Sequence, residues 1–80
     1  MTRQEINEKL NSVFQEVFNN NDLTVTDATI ASDVDGWDSI AHLTLMSSVE
    51  DAFSIEFSLG EINGFNNVGQ LISAIENHLS

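Results

Sequence analysis

Asp33-Val34-Asp35-Gly36-Trp37-Asp38-Ser39-Ile40-Ala41-His42-Leu43 is the stretch on which the reading of this chain turns. Asp35-Gly36 marks a turn, and Asp38 is a good N-cap for a helix that starts at Ser39. Beyond it Leu45, Met46, Val49, Ala52 and Phe53 recur at helical spacing. Ile40, Thr44, Ser47 and Asp51 follow the opposite face. The spacing predicts a helix over residues 39–53 with Ser39 at its mouth. The first turn of a helix offers free backbone N–H groups and the positive end of the dipole, both of which suit a phosphate. A serine hydroxyl placed there can carry a phosphodiester in a favourable field. The plainer reading is that Ser39 only helps to cap the helix, and position alone favours it.

Working toward the N-terminus, residues 22–37 form a long connection rich in Thr, Asp and Ser. Its single apolar residues Leu23, Val25, Ile30 and Val34 read as anchors into the core. A strand over 23–26 competes with this but has no evident partner. A connection this long without periodic structure is often functional. Ahead of it, Thr2 and Glu5 form a capping-box pattern. Ile6, Leu10, Val13, Phe14, Val17 and Phe18 then mark a helix over about 3–18 that ends at the Asn19-Asn20-Asn21 run.

Toward the C-terminus, Gly60 and Gly64 leave room for one short, weak helix near 59–64. Asn67 with Gln70 resembles a second capping box, followed by the stripe Val68, Leu71, Ile72, Ile75 and Leu79. Phe53, Phe57 and Phe65 are expected in the core. The predicted architecture is all-α, a four-helix bundle with a short third helix and a long loop between helices 1 and 2. It forms one domain over residues 1–80.

Composition narrows the partners. Of 80 residues 41% are apolar, enough for one small core. Thirteen acids face two bases, Arg3 and Lys9, for a net charge of −11. Nucleic acid and anionic membrane surfaces are repelled by such a chain, whereas proteins with basic patches are drawn to it. The same acidity also serves solubility alone, and charge does not separate these two readings. There is no cysteine, the N-terminus shows no apolar signal region, and no apolar run reaches membrane-spanning length. A soluble, cytoplasmic, monomeric protein is expected.

Asp38-Ser39-Ile40 resembles the Asp-Ser-Leu signature of acyl and peptidyl carrier proteins. The resemblance runs through nearly the whole chain. It takes in the length, the acidity, the long first loop, Gly36-Trp37-Asp38-Ser39, Glu50-Asp51-Ala52-Phe53, Ile55, Phe57 and the late helix from Val68 to Leu79. It implies that a phosphopantetheinyl transferase moves the phosphopantetheine of coenzyme A onto Ser39. The thiol of this 4'-phosphopantetheine arm then holds an acyl or aminoacyl group as a thioester. The absence of cysteine agrees, since the thiol must come from the arm. By the same resemblance Asp38 fixes the helix start and helps the transferase engage. The second helix becomes the docking face for loading and processing enzymes with basic patches. Its exposed candidates are Ile40, Thr44, Ser47, Glu50 and Asp51, with Glu56 beyond it. The family often has acids where Ala41 and Thr44 stand here. Their loss points away from housekeeping fatty acid synthesis and toward a specialised pathway, such as polyketide, aminoacyl or surface-polysaccharide work. Drift on a solvated face explains it equally well.

Ser39 reads as an acceptor and the chain as a non-enzyme, because no histidine or lysine adjoins the serine to act as its base. His42 is expected to be partly buried with a local hydrogen bond; the other reading puts it against the arm or its cargo. Trp37 is expected to cover the helix start, or else to touch a partner. In the carrier family the space between the second and third helices can receive an acyl chain, which the phenylalanines would then line. Other sites fail on spacing. An EF-hand register on Gly36 would put Ala31 and His42 at the first and last ligand positions. A hydrolase elbow would need Gly where Ala41 stands. The rival from another class is an unmodified acidic helical adaptor that binds basic proteins.

Overall fold

A computed structural model describes all residues from Met1 to Ser80. It contains four α-helices and no strand: α1 (Arg3–Val17), α2 (Ser39–Phe53), α3 (Leu59–Gly64) and α4 (Val68–Leu79). One turn of 3₁₀ helix, Ala31–Asp33, interrupts the long connection between α1 and α2. The architecture is that expected from the sequence.

Each helix starts where a side chain can satisfy its first N–H groups. Thr2 accepts from the Glu5 N–H while the Glu5 carboxylate accepts from the Thr2 N–H, a complete capping box. The Asp38 carboxylate accepts from the Ala41 N–H at 2.8 Å. At α4 the arrangement differs in one respect. Asn67 caps the Gln70 N–H, but the Gln70 side chain reaches back to the N–H of Asn66, one residue before the cap. Ser58 and Glu61 form a further reciprocal box at α3, which explains why so short a helix persists with two glycines in it. Asn19 ends α1 and Ser54 ends α2, both with positive φ (50° and 55°).

The core gathers Ile6, Leu10 and Phe14 from α1, Leu45, Met46 and Val49 from α2, and Val68, Leu71, Ile72 and Ile75 from α4. Phe53 and Phe57 are buried with them, while Phe65 and Ala52 are half-buried. The connection sends in Val25 and Val34, with Leu23 half-buried. Ile30, expected as a fourth anchor, instead lies exposed just before the 3₁₀ turn, where its N–H bonds the Asp33 carboxylate.

Residues 23–26 form no strand; side chains of α1 take up their backbone groups instead. The Asn11 side-chain amide accepts from the Val25 N–H and donates to the Val25 carbonyl. Gln15 donates to the Leu23 carbonyl. Farther on, the carbonyls of Thr29 and Asp27 accept the Val68 and Gly69 N–H groups at the start of α4. A Cβ on Gly69 would lie 2.9 Å from the Asp27 oxygen, so glycine is needed for this approach. Arg3 closes the same corner by donating to Asp27, Glu76, Ser73 and the Gly69 carbonyl. Hydrogen bonds to Asp27 and then Glu76 hold its guanidinium pKa above the ordinary value. The other base, Lys9, sits over the Phe53 ring. Both bases belong to α1, so none adjoins the start of α2.

Candidate functional site

Ser39 is the first residue of α2 and is exposed. The turn that delivers it depends on Gly36, at φ +86°, which a side chain would adopt only under strain. Trp37 then folds inward while Asp38 and Ser39 stay in solvent. The Trp37 ring packs edge-on against Phe14 at 5.3 Å and also meets Phe18 and Phe65. It anchors the loop to the bundle immediately before the helix begins.

The helix mouth suits a phosphate group. Asp38 satisfies Ala41 through its side chain and His42 through its carbonyl. The N–H groups of Ser39 and Ile40 are left without a protein acceptor. Two free donors and the dipole's positive end therefore face the position that a phosphodiester on Ser39 Oγ would occupy.

His42 is partly buried and fully hydrogen-bonded. Trp37 Nε1–H donates to its Nδ1 at 3.0 Å, which fixes the neutral tautomer with the proton on Nε2. That N–H donates to the Ile62 carbonyl of α3 at 2.7 Å. The ring stacks on Trp37 and abuts Phe65. Neither nitrogen is free to take a proton from Ser39, so the serine has no base on this side.

An open groove of about 500 Å³ runs beside the serine, bounded by Trp37, Ser39, His42, Leu43 and Asn63 among others. Large apolar side chains are exposed on α2 and α3: Ile40 is 78%, Leu43 62% and Leu59 79% exposed. Of the face anticipated on α2, Ile40, Thr44, Ser47 and Asp51 lie exposed, as does Glu56 beyond it. Glu50 is half-buried and one of its carboxylate oxygens accepts the Phe57 N–H at 2.7 Å, tying α2 to the loop that follows. Leu43 and Leu59 were not anticipated. Leu43 stands three residues before the buried Met46, the spacing of a core position, yet its side chain is exposed.

The short α3 borders the site. Its Glu61 carboxylate accepts from the Ser58 N–H and pairs with His78 Nε2 at 2.8 Å. The Ser58 bond first, and the His78 bond second, hold the Glu61 pKa below the ordinary carboxylate range.

An exposed serine opens the second helix of an all-helical bundle, an arrangement that can hold a phosphate-linked group. Comparison with known proteins agrees. Residues 8–75 match the family model described as a phosphopantetheine attachment site. The solution structure of holo acyl carrier protein from Geobacter metallireducens superposes with a TM-score of 0.84 at 36% sequence identity, covering 90% of this chain and 83% of that one. A comparison with curated protein sequences gives no match. The chain belongs to the acyl carrier protein family, the carriers of covalently attached 4'-phosphopantetheine. No helix is long and apolar enough to cross a membrane.

Proposed function

We propose that Ser39 is the attachment point of the arm and that the chain carries acyl or aminoacyl intermediates as thioesters, with no catalytic activity of its own. The observation that supports this most is the exposed Ser39 hydroxyl beside two unpaired N–H groups at the start of α2. In the loading step Ser39 Oγ attacks the phosphorus of coenzyme A that bears the pantetheine. The pyrophosphate P–O bond breaks, adenosine 3',5'-bisphosphate departs, and the serine proton passes to a base on the transferase. Asp38 holds the helix start for this step and meets the transferase. Once loaded, the tether keeps cargo at high effective concentration near each partner's active site.

Partners dock on the α2 face through Ile40, Leu43, Thr44 and Ser47, with Asp51 and Glu56 at the far end; Glu50, expected among them, is instead engaged by the Phe57 N–H. This face is apolar near the arm and acidic away from it, so its partners combine an apolar contact with a basic rim. The missing acids at Ala41 and Thr44 fit a specialised polyketide, aminoacyl or surface-polysaccharide pathway and, as drift on a solvated face, equally fit fatty acid synthesis. The unit works as one domain, a cytoplasmic monomer.

Intact-mass measurement after incubation with coenzyme A and a broad-specificity transferase tests the reading. The mass gain of one arm is expected in the wild type and not in Ser39→Ala, with the helical circular dichroism unchanged. A wild type without the gain, or a Ser39→Ala protein that keeps it, would refute the assignment.

A further inference from the structure

A cargo on Ser39 has two places to go: between α2 and α3 into the bundle, or along the outer surface. His42 stands in the way of the first. Its ring is held between Trp37 and Phe65, with centroids 6.0 and 5.3 Å away. Its two nitrogens bridge from the Trp37 indole on one side to the Ile62 carbonyl of α3 on the other. To admit a chain, the ring would have to swing out. Both hydrogen bonds would then be lost, leaving the half-buried indole N–H and the Ile62 carbonyl to find other partners. No cavity in the bundle is lined by the core residues Leu45, Met46, Val49, Leu71 and Ile72, each at most 1% exposed, so none awaits the chain once the ring has moved.

The outer path is open. The groove beside Ser39 is lined by Trp37, Leu43 and Asn63 among others. It is continuous with solvent, and a long alkyl chain laid there would leave most of its methylenes in water.

We infer that His42 acts as a fixed plug that closes the bundle to cargo, so that this carrier holds its cargo on the outside and suits short or polar acyl groups rather than long alkyl chains. The inference rests on the carrier reading with the arm on Ser39.

The test uses acetyl, hexanoyl and decanoyl forms made by transferring the corresponding acyl-pantetheine arms from coenzyme A thioesters. Intact mass first establishes loading; a protein that takes no arm on Ser39 overturns the carrier reading and this inference with it. On loaded protein, the side-chain methyl NMR signals of Leu45, Met46 and Leu71 are compared along the series. Cleavage of the thioester by hydroxylamine is timed alongside. In the wild type the methyl shifts are expected to stay those of the acetyl form. The cleavage rate should stay constant within about twofold, as for an unprotected group. In His42→Ala, lengthening the chain should shift those methyl signals and slow cleavage by about tenfold or more as the thioester becomes shielded. A wild type whose core methyl signals move and whose cleavage slows with chain length would overturn the plug while leaving the carrier reading intact. The wild-type series decides this alone, so a His42→Ala protein that does not fold removes only the second arm.

Discussion

Along α4, Val68, Leu71, Ile72 and Ile75 have no exposed surface, whereas α3 buries none of its six residues. The two helices follow one another in the chain and are held by different physics. α4 is fixed by apolar packing against α1 and α2, and by its backbone contact with the long connection through Gly69. α3 adds only the half-buried Ile62 to the core and is otherwise held by polar links: its own capping box, the His42 bond to Ile62 and the Glu61–His78 pair. The buried residues lie on α1, α2, α4 and the connections, while α2 leaves Ile40 and Leu43 exposed just after Ser39 and α3 opens on an exposed Leu59.

Truncation separates the two regions most strongly. Leu71→Ala should cost about 2–5 kcal/mol in urea unfolding, as for a fully buried leucine. Leu59→Ala should stay within about 0.5 kcal/mol, as for an exposed position. Equal costs would remove the distinction. Glycine substitutions come next. Gly69→Ala drives a methyl against the Asp27 carbonyl and should destabilise by about 1–3 kcal/mol. Gly60→Ala, with only Ser58 Oγ near at 3.9 Å, should instead stabilise by about 0.4–1 kcal/mol, with slower amide exchange in α3.

Ser58→Ala is the third test and depends on pH. The folded state lowers the Glu61 pKa below 4.5, chiefly through the Ser58 N–H, and that of Glu5 through the Thr2 N–H. A carboxyl whose pKa is depressed on folding adds stability that is present above its unfolded pKa and lost as the pH falls through the folded one. Ser58→Ala removes the hydroxyl that caps the Glu61 N–H and loosens the box. The stability gap between wild type and Ser58→Ala should be about 1 kcal/mol near neutral pH. It should narrow as the pH falls below 4.5; a gap that widens there would contradict the assignment. The smallest effect is that of salt. With a net charge of −11, moderate salt should raise the melting temperature by about a few degrees through relief of self-repulsion. The rise should be larger in Arg3→Gln, which lacks the Arg3–Asp27 and Arg3–Glu76 pairs that salt would otherwise weaken. A flat or falling response in that variant would show that the acids do not strain the fold.

Much of the site was legible because it is local. Asp38 caps a helix because its carboxylate reaches a backbone N–H three residues on, and no distant residue is needed for that. The helical stripes of α1, α2 and α4, and the capping boxes at Thr2 and Asn67, are likewise short-range patterns. The box at Ser58 has the same Ser-x-x-Glu form and could have been found that way. Less could be read where partners are distant in sequence. Ile30 has the composition of an anchor, but the 3₁₀ turn directs it outward. Glu50 has the composition of a docking acid, but the chain turns back after Ser54 and brings the Phe57 N–H to it. Nothing local distinguishes Leu43 from its buried neighbours.

By itself the sequence determined that this is an acidic four-helix chain with a capped serine opening the second helix, because spacing and capping act over a few residues. Only the tertiary structure decided that Asn11 stands in for a missing strand, that Gly69 admits the Asp27 carbonyl, and that His42 joins Trp37 to α3. Those contacts link residues remote along the chain, and they exist only once apolar burial has brought the helices together.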